Sequence, residues 1–247
     1  MVLQIQPTKP EPTVTWNPLP ADYILPDDPV ENIQQPLLAA ALTDALGAAQ
    51  FIQAQMLIGS NFGLVATVNK KTVVKAPDWF YVPQVPPVAE GVIRRSYTPH
   101  LEGEPIAVVM EFLSETECGE LSVRSTPPYG KLYFYEHILK VPTYITYDPY
   151  ELSLEVRRLQ DGKYSLEPAN ENQHFWIPEL ELFLGVWQGE RLGHNINWLR
   201  WWDKSGNLLL WSSKKVQPEK KPGEQEEQRA EKLAAKLREL GVDPDSV

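Results

Sequence analysis

The chain has 247 residues, a formal net charge of −10 and a hydrophobic content of 43%. This length suits one large domain with appendages or two small ones. The sequence has no apolar run long enough to span a membrane and no signal peptide pattern at its N-terminus. The single cysteine, Cys118, excludes an intrachain disulfide, which fits a cytoplasmic protein. The acidic balance argues against tight nucleic-acid binding over the whole surface, but it is compatible with a metal site and a local basic patch.

The first third of the chain predicts an extended arm, one helix and several short strands. Seven prolines within residues 1–30 exclude a helix or an inner strand there. Residues Gln35–Gln50 carry apolar side chains at helical spacing, and these are Leu38, Leu42, Ala45 and Ala49. Three strands are predicted from branched residues between polar turns, at Gln55–Ile58, Gly63–Val68 and Thr72–Lys75. Residues Asn69–Lys71 provide the turn that makes the last two strands a hairpin.

Two β-like stretches between residues 72 and 113 each contain one carboxylate. Asp78 follows Pro77 in TVVKAPDWFYV, and Glu111 lies near the end of the apolar run PIAVVMEFL. Because such a run is expected to be buried on both faces, an ionised Glu111 needs a cation or hydrogen-bond donors. Two carboxylates on neighbouring strand ends suit a hard cation such as Mg²⁺, which prefers oxygen ligands. Each carboxylate also has a purely structural interpretation, Asp78 as a turn residue and Glu111 as a hydrogen-bonded strand end.

The segments on either side of the second stretch predict a loop, a crossover and a second hairpin. Residues 83–104 are expected to be a loop, in which Arg94–Arg95 are either solvated or contact phosphate. Tyr129–Leu139 has helical spacing and Val141–Pro149 is strand-like. A strand, helix and strand in this order predict a right-handed crossover between parallel strands. Residues 152–168 predict another hairpin.

The C-terminal part of the chain is rich in tryptophan and then in charge. Six of the eight tryptophans lie within residues 176–211. They are interpreted either as the packed core of a β-rich end or as a stacking platform for bases. Beyond Ser213 a charged linker leads to a predicted helix, Glu224–Leu240, whose apolar residues have 3-4-3 spacing. Such a helix either pairs in a homodimer or stays single.

The motifs of several enzyme classes are missing from the sequence. The histidines, His100, His137, His174 and His194, do not have zinc-ligand spacing, and a lone cysteine excludes a cysteine-rich zinc site. There is no nucleophile elbow of the form G-x-S-x-G and no Walker-type phosphate loop. The sequence therefore gives no support to a zinc enzyme, a serine hydrolase or a nucleoside triphosphatase.

Four stretches occur in an order that resembles a known family, namely KAPDWFYVP, AVVMEFLSE, PYGKLYFYEHILKVPTYITYDP and INWLRWWDKSGNLL. The chain resembles the Uma-two family of the PD-(D/E)XK restriction-endonuclease-like superfamily, common in cyanobacteria, over about residues 25–205. The resemblance implies an α/β fold with an αβββαβ core, in which helices flank a mixed central sheet. Beyond this core, the residue patterns described above predict extra β-hairpins and a C-terminal helix. The expected organisation is an arm at 1–30, the nuclease-like domain at 31–212, and a linker with a helix at 213–247.

The resemblance also implies a set of site residues. Asp78 matches the aspartate of the PD motif, and Glu111 matches the acidic residue of the second motif. Leu113 stands where the usual lysine belongs, and Lys131 matches the lysine on the next helix that replaces it in this family. Lys131 also has a plain interpretation as a solvated helix residue. Glu31 is the candidate for an additional metal ligand from the region of the first helix.

The resemblance implies a metal-dependent endonuclease, a hydrolase that cuts phosphodiester bonds in nucleic acid, with DNA as the expected substrate. Asp78 and Glu111 are then expected to hold Mg²⁺ or Mn²⁺, and Lys131 to orient water or stabilise the pentacovalent phosphate. Because Leu113 departs from the pattern, the alternative is a catalytically inactive nuclease fold that serves as a binding or assembly module. The two hypotheses differ in whether Asp78, Glu111 and Lys131 converge.

Overall fold

The computed structural model describes residues 11–25, 33–114 and 121–215. Contacts divide the chain into two compact units, Met1–Leu209 and Leu210–Val247. The candidate ligand Glu31, the thiol of Cys118 and the predicted helix Glu224–Leu240 lie outside the described residues, and the predicted domain boundaries stay predictions. Within the described ranges, no helix is long and apolar enough to cross a membrane.

The described elements are short strands with few helices. In chain order they are β1 (Val14–Thr15), α1 (Gln34–Ala48), β2 (Leu57–Gly59), β3 (Gly63–Val68), β4 (Lys71–Lys75), β5 (Trp79–Val82), β6 (Ser96–Tyr97), β7 (Val108–Phe112), α2 (Lys131–Tyr133, continued by a π-helical turn, Phe134–Ile138), β8 (Thr143–Asp148), β9 (Ser153–Gln160), β10 (Lys163–Leu166), β11 (Phe175–Ile177), β12 (Leu182–Arg191), β13 (His194–Trp202) and α3 (Ser212–Lys215).

A six-stranded mixed sheet is the centre of the first unit. Its strands lie in the order β10-β9-β8-β7-β5-β2. Strands β7 and β8 are parallel, whereas the other neighbouring pairs are antiparallel. Helix α2 lies in the connection between the two parallel strands, because two parallel strands cannot be joined by a tight turn. The predicted parallel pair and the predicted hairpin of β9 and β10 are confirmed.

The predicted hairpin of β3 and β4 is also confirmed, but it belongs to a second sheet rather than to the central one. This sheet has the order β1-β3-β4, and β6 pairs with β3 in parallel. Asn69 and Lys70 form its turn with positive φ angles of 49° and 66°, the backbone form that matches the twist of a hairpin. The prediction that residues 83–104 form only a loop was wrong at Ser96–Tyr97, since this pair adds a strand edge to β3.

Two arginines of that loop bind protein groups. Arg94 donates to the Glu102 carboxylate at 2.9 Å and to a backbone carbonyl. Arg95 donates to the carbonyl oxygens of Ala21 and Tyr23, each at 3.1 Å. Arg95 is exposed, as the solvated interpretation predicts, whereas Arg94 is half-buried; phosphate contact stays a prediction. Through these hydrogen bonds the two arginines connect the loop and the N-terminal segment to the rest of the unit.

Strands β11, β12 and β13 form a third sheet, which carries most of the tryptophans. Trp198 and Trp201 are fully buried, and Trp202 is nearly so. Trp201 donates its indole N–H to the carbonyl oxygen of Leu42 on α1 at 3.3 Å, and its ring lies 6.0 Å from that of Trp79. These side chains are therefore core residues, which favours the packing interpretation over a stacking platform for bases.

Helix α1 is shorter than predicted. It ends at Ala48, so Ala49 lies outside the helix and is exposed, whereas Leu38, Leu42 and Ala45 are buried as expected. The helix contacts β13 and the Trp79 side of the central sheet. On another side of the central sheet lies a core cluster that includes Phe134, Tyr144 and Leu64. This cluster joins α2, the central sheet and the second sheet. The central sheet is thus covered on both faces, and β7 is buried along its whole length.

Candidate active site

Glu111 is a carboxylate inside a strand that is buried along its whole length. It is the fourth residue of β7, which lies between β5 and β8, and its exposed fraction is 0%. Side chains alternate between the two faces of a strand, so Glu111 shares a face with Val109 of the core cluster that includes α2. A charged group in this position is unfavourable unless polar groups or a cation surround it.

Two side chains of α2 reach this carboxylate. Lys131 donates from Nζ to Oε2 of Glu111 at 2.9 Å, and the Tyr135 hydroxyl donates to Oε1 at 2.8 Å. Lys131 and Tyr135 are four residues apart and therefore lie on the same side of the helix. Each carboxylate oxygen thus has its own donor from one helix.

The start of α2 is fixed by the preceding loop, which determines where Lys131 lies. The Gly130 N–H donates to the carbonyl of Arg124, and the Gly130 carbonyl accepts from the Phe134 N–H, each at 3.0 Å. A Cβ at position 130 would overlap the backbone carbonyl of Ser122. Glycine is therefore required by the close approach of two backbone segments, and this approach sets the position of the first helical turn.

Asp78 lies beside Glu111 because of the strand register. Trp79 of β5 pairs with Met110 of β7, so the residue before Trp79 lies level with the end of β7. Oδ2 of Asp78 accepts a hydrogen bond from the Phe112 N–H at 2.6 Å. Asp78 is only half-buried, so one side of the site is open to solvent.

The electrostatics of the site disfavour a bare carboxylate at Glu111. Burial raises the pKa of Glu111 to about 8, and the Asp78 charge adds to this increase, whereas Lys131 and the hydrogen bond from Tyr135 lower it. Burial, with the Glu111 charge adding to it, raises the pKa of Tyr135 well above its usual range. Tyr135 therefore keeps its proton and stays a donor. A cation placed between Asp78 and Glu111 would favour the ionised form of both carboxylates.

The donor set of this site fits a divalent cation of the magnesium type. Asp78 and Glu111 supply carboxylate oxygens, the ligands that hard cations prefer. Within the described ranges, no group of three or more His, Cys, Asp or Glu side chains could hold a metal. Mg²⁺ nevertheless often takes only one or two protein carboxylates and fills its remaining positions with water and substrate phosphate. Glu31 lies outside the described residues, so its proposed contribution stays a prediction.

Sequence reasoning missed two residues that shape this site. Tyr135 was not among the predicted site residues, although its spacing from Lys131 was a usable signal. Gln35 on α1 is buried, and its Nε2 donates to the carbonyl oxygen of Phe112 at 2.9 Å. No local pattern indicates this contact, because the two residues are 77 positions apart. Gln35 thus binds the carbonyl oxygen of Phe112, and Asp78 binds its N–H.

Leu113 occupies the position at which the resemblance to the superfamily predicts a lysine, and its apolar side chain supplies no polar group to the site. It is half-buried, and its N–H donates to the Tyr147 carbonyl at 2.8 Å. The cationic group near Glu111 comes instead from Lys131, whose side chain is 26% exposed. Lys131 therefore touches both the buried carboxylate and the solvent side of the site.

Replacing Tyr135 with phenylalanine is expected to lower the free energy of unfolding by about 1–3 kcal/mol, because Oε1 of Glu111 then loses its donor inside the core. The loss should be larger at pH 9 than at pH 6, since Glu111 is ionised above a pKa of about 8. Urea denaturation of wild type and variant at both pH values measures this loss of unfolding free energy. Tyr150→Phe is the matched control, because Tyr150 is 52% exposed. Equal stability of the two variants would contradict the role given to the Tyr135 hydroxyl.

Comparison with known proteins places these residues in a family. A family model named Uma2, with the description "Putative restriction endonuclease", matches residues 24–192. The matched range includes Asp78, Glu111, Lys131 and Tyr135, and it ends just after β12. Among proteins with curated descriptions, a search found no match to the chain.

Proposed function

The chain belongs to the Uma2 family, and we propose from this membership and the site geometry that it is a metal-dependent endonuclease acting on DNA. The observation that carries the proposal is the Glu111 carboxylate. It is fully buried in an apolar strand, next to Asp78 and in contact with Lys131. A carboxylate with a strongly raised pKa and a specific cationic partner is typical of a functional site.

The order of elements in the central sheet supports a restriction-endonuclease-like core. The chain passes through α1, β2, β5, β7, α2 and β8, which corresponds to αβββαβ once the β3–β4 hairpin and the short strand β6 are regarded as insertions. The hairpin belongs to the second sheet, so it does not interrupt the central one. In this arrangement Asp78 and Glu111 lie at one end of β5 and β7, and α2 carries Lys131 across the same end.

In the proposed mechanism, Asp78 and Glu111 would hold the divalent ion through their carboxylate oxygens. When bound, such an ion lowers the pKa of a coordinated water and offsets the charge that develops on the phosphate oxygens. The hydrogen bond from the Phe112 N–H to Oδ2 holds Asp78 at the end of β7. Gln35 keeps the end of β7 in place through the Phe112 carbonyl.

Lys131 is proposed to act on the reacting phosphate or on the attacking water. Its Nζ touches Oε2 of Glu111, and its side chain is 26% exposed, so the lysine lies between the buried carboxylate and the open side of the site. A lysine suits this role because it presents three donors as a compact charge. Tyr135 fixes the other oxygen of Glu111 and so keeps the carboxylate from rotating away.

Nicking of supercoiled plasmid with Mg²⁺ or Mn²⁺ tests the proposal. The wild-type protein is expected to cleave only with metal, and Asp78→Ala is expected to lose at least about a hundredfold in rate. Glu151→Ala, in an exposed turn after β8, is the matched control and should cleave like the wild type. A folded wild-type protein that cleaves with neither metal would favour the alternative, a catalytically inactive binding module, as the departure at Leu113 would allow.

A further inference from the structure

A cleft of about 430 Å³ runs along the edge strand of the second sheet, apart from the carboxylates. One wall is the whole of β4 with the end of its hairpin, from Lys71 to Lys75. The facing wall is the segment Pro127–Tyr129, and Tyr23 of the N-terminal segment also lines the cleft. Among the described strands, β4 pairs only with β3, and all five of its residues line the cleft.

We propose that this cleft binds a single strand of nucleic acid and leads it to the candidate active site. The inference rests on the proposed nuclease function, because it names the form of substrate that the site receives. Its volume corresponds to that of a small-ligand site, enough for about one nucleotide at a time. Positively charged grooves with aromatic side chains are the common way of binding single strands without sequence preference.

The charge of the cleft supports a polyanion as its occupant. The described residues that line it include Lys71 and Lys75 but no Asp or Glu. The charge of the cleft lining is therefore opposite in sign to the net charge of the protein, whose 33 acidic residues outnumber its 23 basic ones. Lys70, in the turn that begins β4, is exposed and adds a third positive charge at the rim. Phosphates are attracted to such a patch even when the net charge of the protein is negative.

The aromatic side chains of the cleft suit bases. Tyr23 is half-buried, its backbone carbonyl accepts a hydrogen bond from Arg95, and it lines the cleft together with Lys71 and Lys75. Tyr129, which stacks on Tyr133 at 5.9 Å, is only 6% exposed and belongs to the core cluster. Tyr23 is therefore the aromatic residue on which a base would stack.

The position of the cleft connects it with the site. Lys75 precedes Asp78 by three positions, and Pro128 precedes Lys131 by three positions. Three residues span at most about 11 Å, so each wall lies within that distance of a residue of the candidate site. The two walls are the two segments that supply Asp78 and Lys131. A strand held between them would therefore reach the scissile position within about two nucleotides.

Fluorescence anisotropy with a 12-nucleotide single-stranded DNA in EDTA tests the inference without cleavage. The double variant Lys71→Gln/Lys75→Gln is expected to bind about tenfold more weakly at low salt. The slope of log affinity against log salt should become smaller by roughly 1.4, or 0.7 for each phosphate that the variant no longer neutralises. Tyr23→Ala is expected to weaken binding about fivefold or more with an unchanged slope, because stacking does not release counterions. Lys140→Gln/Lys163→Gln, at two exposed positions outside the cleft, is the matched control.

Three results would overturn the cleft as a nucleic-acid site. They are unchanged binding in the cleft variants, an equal loss in the control pair, and equal competition by polyglutamate, which would indicate an acidic peptide as the occupant. A fourth result, duplex DNA of the same length binding as tightly, would overturn the single-strand form. Plasmid cleavage separates this inference from the proposed function. If the wild type cleaves and the cleft variants bind normally, only the inference about the cleft is wrong. If binding depends on the cleft but no cleavage occurs, only the proposed nuclease function is wrong.

Discussion

Replacing Glu111 with glutamine is expected to abolish metal-dependent cleavage and at the same time to stabilise the metal-free protein. Glutamine has the shape of glutamate and can still bond to Lys131 and Tyr135, because an amide accepts and donates and a hydroxyl can accept. It buries no charge, however, and it is a poor ligand for a hard cation. We expect a rate loss of at least about a thousandfold.

The expected gain in stability depends on pH in a definite direction. Because folding raises the pKa of Glu111 from 4.5 to about 8, the folded wild type holds a proton that the unfolded chain releases. Its stability therefore falls as pH rises between these two values, whereas the glutamine variant has no such loss. The advantage of Glu111→Gln should grow over this range and then level off. At pH 8.5 we expect at least about 1 kcal/mol, or roughly 2–4 °C in melting temperature.

Thermal unfolding at pH 5 and pH 8.5, with and without Mg²⁺, measures this effect. Mg²⁺ should raise the melting temperature of the wild type but not that of Glu111→Gln, because only a protein that binds the ion is stabilised by it. Glu90→Gln, in an exposed loop, is the matched control and should change neither quantity. A glutamine variant that is less stable than wild type at both pH values would show that Glu111 is a structural strand-end carboxylate.

Replacing Lys131 with methionine is expected to lower cleavage by about a hundredfold to a thousandfold while leaving metal binding intact. Methionine keeps the length and the helix propensity of lysine but has no charge to orient water or phosphate. Loss of a cation beside two carboxylates should not weaken their affinity for a divalent ion. Calorimetric titration of Mn²⁺ and plasmid nicking together measure both quantities. Lys140→Met, after the end of α2 and exposed, is the control.

The unusual position of this lysine can be tested by moving it. Leu113 lies two residues after Glu111 and is half-buried, where a lysine would usually stand. Adding Leu113→Lys to the Lys131→Met variant is expected to restore part of the activity, because the ammonium group again lies near Glu111. If Lys131→Met alone cleaves at the wild-type rate, Lys131 is a solvated helix residue and has no catalytic role.

Local patterns in the sequence determined much of the secondary structure. The apolar run around Val108–Phe112 predicts a buried strand, and the polar residues Asn69–Lys71 predict the hairpin turn, because strand propensity and turn chemistry depend on neighbouring residues. The order of strand, helix and strand predicts the parallel pair. The local patterns gave wrong predictions where the structure of a segment does not depend on its sequence neighbours. The strand Ser96–Tyr97 exists because β3 offers an edge, and helix α1 ends before Ala49 although alanine favours a helix.

The tertiary structure alone decided which residues meet. Periodicity states which face a side chain occupies but not what lies opposite, since contacts between distant segments depend on register and packing. The sequence indicated the candidates Asp78, Glu111 and Lys131 by family resemblance, and the fold brings them together. It also adds Tyr135, 24 positions from Glu111, and Gln35, 77 positions from Phe112. The cleft between β4 and Pro127–Tyr129 has the same origin, because its two walls adjoin only after a second sheet has packed against the core.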